Sequence, residues 1–484
     1  MEVFMSESIF CNFINGEWVE GVSSLANISP ADTSDIIGQY AQADTNQVEQ
    51  ALDAAIIGQL AWQESGLEQR YSVLMAIGDE LIARKDELGK LLAREEGKTL
   101  PEGAGEIYRS GQFFHYYAAE VLRQMGETAD SVRPGIEIET RREPVGVVGI
   151  ITPWNFPLAT AAWKIAPALA FGNAVVLKPA NQVPASAWAL TEIISRQGLP
   201  AGTFNLVMGP GAAVGDLLIN STKINALTFT GSLETGRKVA IATAANLVKC
   251  QLEMGSKNAL VVLDDADLDN AVECAVGGAF FGTGQKCTAS SRLIVTEGIH
   301  DRFVDAVVAR MKQLVVGHPL REGVHIGAVA DARQMKQNLN YIEIAKKEGG
   351  KLVSGGEVIT EETEGYYLTP ALFTETTNDM TINREEAFAP IACVIKVKDY
   401  DEALATLNDT NYGLVGGICT QSLKSATHFK RNAQTGCVMV NLATAGTDYH
   451  VPFGGRKDSS FGSREMGSYA KEFYTIVKTT YIRS

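Results

Sequence analysis

From residue 145 onward, short β-branched runs alternate with helical segments. That alternation restricts the chain to a mostly parallel sheet covered by helices. VGVVGIITP (145–153), a helical stretch at 161–171 and NAVVLKP (173–179) form a strand, helix, strand unit. The pattern continues with a helix over 184–198, TFNLVMG (203–209), a helix over 215–221, NALTFTG (225–231) and a helix over 236–246. A second set follows Gly255: NALVVL (258–263), a helix over 268–281, SRLIV (291–295) and a helix over 302–314. Two α/β lobes are therefore expected. Residues 130–142 instead alternate apolar and charged side chains without helical period, as an exposed ribbon does. This ribbon and the closing YTIVKTTYI (474–482) either pair with partner subunits through strand edges or form a surface hairpin within one subunit.

Composition excludes several classes. With 42 basic and 57 acidic residues the formal charge is −15, which leaves no basic stripe for a nucleic-acid backbone. The longest apolar candidate, 158–177, is broken by Lys164, Pro167 and Asn173, so no membrane span is expected. The start MEVFMSESIFCNF has no basic region leading into an apolar export signal, which points to a cytoplasmic protein. Seven cysteines in 484 residues are no disulfide framework, and neither CxxC nor HExxH spacing occurs, so reduced thiols and no catalytic metal are expected.

Cys250, Cys274, Cys393, Cys419 and Cys437 lie in or beside apolar runs and read as core fillers, and Cys11 lies near the N-terminus. Cys287 differs. It falls in GTGQKCTASS (282–291), a loop of glycines and small hydroxyl residues whose backbone can approach a ligand. An ordinary thiol is only a few per cent ionised at neutral pH, so a nucleophile there needs help from amide dipoles or a cation such as Lys286. Glu253 lies in VKCQLEMG (248–255), where it is either a solvated strand residue or a carboxylate at the crevice of an open sheet. Asn155, in the stiff turn TPWNFP (152–157), is either structural or an amide donor for a developing oxyanion. Standard GxGxxG spacing is absent, but FTGS (229–232) follows a strand and opens a helix, so its amides can hold a pyrophosphate.

Together TPWNFP, FTGS, QLEMGSK (251–257), GQKC (284–287) and PFGGRKDSS (452–460) have the order and spacing of the aldehyde dehydrogenase superfamily, which the chain resembles from NFINGEW (12–18) to the C-terminus. The resemblance implies an α/β fold with an atypical Rossmann NAD(P)-binding domain at 1–124 and 146–255. It further implies a catalytic domain at 256–450 and an oligomerisation ribbon at 125–145 and 468–484, assembled as a homodimer or homotetramer. It casts Cys287 as nucleophile, Glu253 as general base, Asn155 with the Cys287 backbone N–H as oxyanion hole, and Lys164 as a supporting lysine. Hydrolysis, rather than transfer to coenzyme A, follows from the carboxylate. Matched cofactor positions are Ile151, Thr152, Pro153, Trp154, Lys178, Pro179, Ala180, Asn181, Gly211, Phe229, Thr230, Gly231, Ser232, Thr235, Met254, Gly255, Glu386 and Phe388. The last two lie in EEAFAP (385–390), a departure from the commoner EEIFGP. Relatives strongly dependent on NAD⁺ often have glutamate where this chain has Asn181, so NADP⁺ is expected to be accepted as well.

Trp163 and Phe281 argue against succinic semialdehyde, whose enzymes commonly place arginine just before the helix lysine. QLEMGSKNA, GQKCTASSR and TAGTDYHVPFGG (444–455) are more similar to 2,5-dioxovalerate (α-ketoglutarate semialdehyde) dehydrogenases. Substrate-side candidates are Phe156, Trp163, Lys286, Thr288, His450 and Phe453, with Lys286, Arg292, Arg456 or His450 as the cation for an anionic aldehyde. Rival readings are a dehydrogenase of neutral aldehydes, with Trp154, Phe156 and Trp163 lining an apolar tunnel, a cofactor-free thiol hydrolase, and a non-catalytic scaffold.

Overall fold

A computed structural model describes residues 9–123 and 125–483. Most of the N-terminal stretch read for an export signal, the proposed boundary at 124 and the last residue of the ribbon lie outside the described residues.

The first α/β lobe is an eight-stranded sheet. Its order is Ser460–Phe461, Lys249–Glu253, Ala226–Thr230, Val147–Ile151, Ala174–Lys178, Phe204–Leu206, Asn12–Ile14, Glu17–Val19. The five strands from Lys249–Glu253 to Phe204–Leu206 run parallel, and the outer ones are antiparallel. Val147, Val148, Ile150, Val175 and Val176 are buried because helices cover both faces, which explains continuous apolar runs without alternation. The second lobe is a seven-stranded sheet around Arg292–Thr296 and Ala259–Val262, parallel except at the edge strand Lys351–Ser354.

Helix boundaries follow local chemistry. The helix expected at 161–171 runs Pro157–Ala170, because Pro157 fits a first helical position. Leu233–Ala245 starts three residues before the expected 236, where the Ser232 hydroxyl accepts from the Thr235 amide and caps the end. The helix expected at 215–221 is Asp216–Asn220, preceded by one π-helical turn, Gly211–Gly215. Of the four helices described before residue 125, Leu67–Ala83 and Leu100–Val121 pack against Pro157–Ala170.

The ribbon is real and is closed within the chain on one side. Gly126–Asp130 and Ile136–Pro144 form a hairpin, and Thr475–Arg483 adds antiparallel to it from Thr475↔Pro144 to Arg483↔Ile136. The hairpin and the last strand, both offered above as edges for partners, thus pair with each other. Eight of the nine residues of Thr475–Arg483 remain exposed.

Candidate active site

Between the two sheets lies a cavity of about 690 Å³ walled by residues from both. The carboxyl ends of three parallel strands open into it: Ile151 to Phe156 after the first, Lys178 and Ala180 to Gln182 after the second, Phe229 to Ser232 after the third. Open parallel sheets place ligand crevices at such strand ends. Cys287, Glu253 and Asn155, distant in sequence, all line it.

The loop carrying Cys287 is held by tight backbone. After the helix Leu268–Ala279 the chain takes three successive left-handed conformations, Gly282 (φ 63°), Thr283 (φ 55°) and Gly284 (φ 63°). A Cβ on Gly284 would stand 2.2 Å from the Ala389 carbonyl oxygen, so only glycine fits. Thr283 is the strained member of the three, and its hydroxyl donates to the Ala328 carbonyl at 3.4 Å. Asn258 fixes the other side, donating to the carbonyls of Cys287 (2.7 Å) and Ala289 (3.0 Å).

Burial, aided by Glu386 and Glu253, pushes the Cys287 thiol up to about 12. Acting as a nucleophile, this thiol would have to lose its proton as it reacts. Burial and the nearby Glu465 carry Glu253 up to about 8, against the hydrogen bond from Ser460 Oγ to Glu253 Oε2 at 2.5 Å. A solvated strand face is excluded, since Gln251 and Glu253 are both buried and hydrogen-bonded to each other at 3.2 Å. Asn155 Nδ2 donates to the Gln285 carbonyl at 2.9 Å, and its own carbonyl accepts from Lys98 Nζ at 2.7 Å.

Lys164 is not on the cavity wall. It is buried behind Glu253, ion-paired with Glu465 and donating to Thr228 Oγ1 at 2.6 Å, because a fully desolvated ammonium needs a carboxylate. Thr228 in turn donates to Gln251 Oε1 at 2.6 Å, joining Lys164 to the base through side chains. Three substrate-side candidates are corrected too. Lys286 turns away to donate to the Gly277 carbonyl at 3.0 Å, and Thr288 is buried off the wall, its carbonyl accepting from Thr444. His450 is exposed and meets the Tyr449 ring edge-on at 5.3 Å. The other proposed cations fare likewise: Arg292 is buried and spent on the carbonyls of Lys257, Thr406 and Leu407, and Arg456 is exposed. Phe156, Trp163 and Phe453 do line the cavity.

Every cofactor candidate lines the cavity except Pro179, whose carbonyl accepts from Lys178 Nζ at 2.8 Å. Burial pulls Lys178 down to about 8. The Thr230 hydroxyl is buried with no partner in the structure, beside Ser232 at the N-terminus of Leu233–Ala245. A space at Gly211, where a Cβ would meet nothing within 4 Å, completes this end. An unpartnered hydroxyl, an underused cation and a helix N-terminus together suit an anionic, hydroxyl-rich ligand such as a dinucleotide. Glu386 accepts from the Ser256 amide at 2.6 Å, and Phe388 is held at φ 55° with its ring edge-on to Trp154 at 5.4 Å.

Sequence reasoning missed Asp331, Arg333, Gln334 and Gln337, which line the cavity from the start of the helix Ala332–Lys347. Nothing but an amphipathic helix marks that segment. It also passed over Asn258, although QLEMGSKNA contains it.

A two-lobed α/β chain with a thiol, a carboxylate and an amide around one cleft at the strand ends fits the class of thiol-dependent oxidoreductases. The sequence matches the Aldehyde dehydrogenase family over residues 18–480, and the chain belongs to that family, whose members oxidise aldehydes to carboxylates with NAD(P)⁺. It is 41% identical to an alpha-ketoglutaric semialdehyde dehydrogenase of Bacillus subtilis over 100% of both chains. It is 39% identical to a 2,5-dioxopentanoate dehydrogenase of Saccharolobus solfataricus, covering 96% of this chain and 98% of that one. A solved betaine aldehyde dehydrogenase of Staphylococcus aureus in complex with NAD⁺ superposes with a TM-score of 0.95 at 32% identity, covering 98% of this chain and 95% of that one. Among the described residues no helix is long and apolar enough to cross a membrane.

Proposed function

We propose that this aldehyde dehydrogenase oxidises a short semialdehyde bearing a distal carboxylate, 2,5-dioxopentanoate or a close analogue, to the dicarboxylate. The observation that carries the chemistry is the convergence of Cys287, Glu253 and Asn155 on one cavity. The substrate class is supported by the names of relatives at 39–41% identity.

Cys287 Sγ bonds to the aldehyde carbon as its S–H bond breaks and the proton passes to solvent. The carbonyl oxygen, now anionic, is held by Asn155 Nδ2 and the Cys287 backbone N–H. Bound NAD(P)⁺ supplies the hydride acceptor. Glu253, tuned towards neutral pH by burial, takes a proton from the water that cleaves the resulting thioester. The cofactor-holding residues are Lys178, Ser232 and Glu386, with Asn181 leaving room for a 2′-phosphate because it places no anion there. NADP⁺ is thus used alongside NAD⁺. The lobes divide as 1–124 with 146–255 for the dinucleotide and 256–450 for catalysis, and the exposed ribbon joins subunits into a dimer or tetramer. Seven free thiols accord with a reducing, cytoplasmic setting.

The test is turnover of a panel of semialdehydes and neutral aldehydes with both nicotinamides, followed at 340 nm. The highest kcat/KM for a carboxylate-bearing semialdehyde is expected, whereas preference for neutral aldehydes overturns the substrate class. Substrate consumption without nicotinamide reduction would favour a thiol hydrolase.

A further inference from the structure

We propose that Arg109 is the cation that receives the distal carboxylate of the substrate, an inference that rests on the substrate class given above. Lys286, Arg292, Arg456 and His450 are all off the cavity wall, and the two cations on it lie with the cofactor residues: Lys178 beside Asn181, and Arg333 beside Gln334, which donates to the Ala387 and Phe388 carbonyls, so an anionic aldehyde needs another positive partner. Arg109 is placed to be that partner. In the helix Leu100–Val121, Glu106, Arg109 and Phe113 fall on one face at spacings of three and four. The two flanking members both touch the helix Pro157–Ala170: Glu106 Oε1 accepts from the amides of Leu158 and Ala159 at 3.0 Å each, and the Phe113 ring meets Trp163 at 5.9 Å. Phe156, Thr160 and Trp163, on and just before that helix, are cavity wall. Arg109 thus lies between two contacts with the helix that carries Thr160 and Trp163, just outside the lining residues at the edge of the wall.

Its guanidinium lies over the Tyr449 ring at 5.5 Å, in the segment that continues to Phe453 on the same wall. Among the described residues it has no carboxylate partner, although it is partly buried and the chain carries a large acidic excess. The indole N–H of Trp163 is likewise buried without an acceptor in the structure. A partly desolvated guanidinium stacked on an aromatic ring and an orphaned N–H donor are together suited to a carboxylate, which accepts from both. Cys287 and Arg109 would then bracket the substrate, the thiol taking its aldehyde end and the guanidinium its acid end.

Steady-state kinetics of the wild type and of Arg109→Gln, Arg109→Lys and Arg109→Glu, on 2,5-dioxopentanoate and on pentanal, test this. For Arg109→Gln the ratio of kcat/KM for the acid over pentanal is expected to fall about 10- to 100-fold, through KM, as loss of a charge-assisted contact implies. Arg109→Lys recovers part of the ratio, and Arg109→Glu lowers it below the glutamine variant. An unchanged ratio, or equal losses on both substrates, overturns the assignment while leaving the substrate class standing. A wild type with no preference for the acid overturns the substrate class itself, and the role of Arg109 with it.

Discussion

Ser460 Oγ donates to Glu253 Oε2 at 2.5 Å, so the short strand Ser460–Phe461, paired antiparallel to Lys249–Glu253, sets the basicity of the proposed general base. The carboxyl is raised by burial to about 8, and the serine hydrogen bond is the foremost influence opposing that rise. A general base works only when deprotonated. Turnover limited by thioester hydrolysis should therefore climb with pH, about tenfold per unit below the inflection, and level off above about 8. Ser460→Ala removes the opposing hydrogen bond, so its inflection should move to higher pH and its rate at pH 7 should drop. A pH profile of kcat for both proteins checks this, and an unshifted inflection would detach Glu253 from the rate-limiting step.

The thiol makes an independent prediction. With Cys287 at about 12 in the ligand-free protein, alkylation by iodoacetamide should be slow at pH 7 and rise about tenfold per pH unit up to the most alkaline pH the fold survives. Peptide mapping identifies the modified residue, and Cys287→Ala should abolish both this labelling and aldehyde oxidation.

Asn181 lines the cavity next to Lys178. Replacing it by glutamate puts an anion where a 2′-phosphate would lie. Asn181→Glu should lower kcat/KM for NADP⁺ at least tenfold while NAD⁺ use is retained or improved, and initial rates with each nicotinamide measure it.

Lys98 ties the oxyanion turn to its surroundings. It is buried, pairs with Glu106 at 2.8 Å and donates to the Asn155 carbonyl at 2.7 Å. Lys98→Met strands the Glu106 carboxylate, which costs about 3–5 kcal/mol when a buried pair loses one partner. Thermal unfolding should show that loss, and kcat should fall with it as Asn155 loses its anchor. A stable variant with normal kcat would show that the turn holds itself.

Glu386 and Gly255 constrain each other. A Cβ at 255 would sit 2.0 Å from Glu386 Oε2, so Gly255→Ala must displace that carboxylate. If Glu386 holds the cofactor as proposed, KM for the nicotinamide should rise several-fold with little change in unfolding temperature.

The alternating runs after residue 145 were enough to place the parallel strands and covering helices. A buried strand needs continuous β-branched residues, and a turn needs glycine or proline, whatever lies across the sheet. Cys287, Glu253 and Asn155 were legible for a similar reason: each stands in a short motif whose local chemistry differs from its neighbours. Which way a long cationic side chain turns has no such local signature. Lys164 was read as a supporting lysine and Lys286 and Arg292 as candidate cations for the substrate, yet each is drawn elsewhere, to the carboxylate of Glu465 or to backbone carbonyls. Conversely, Arg109 drew no notice in a plain helical run and gained meaning only once its guanidinium was seen over the Tyr449 ring. Local sequence determined where strands end and which thiol borders the cavity. The tertiary structure decided which charges are spent on each other and which remain for a ligand, because desolvation and ion pairing depend on neighbours hundreds of residues apart.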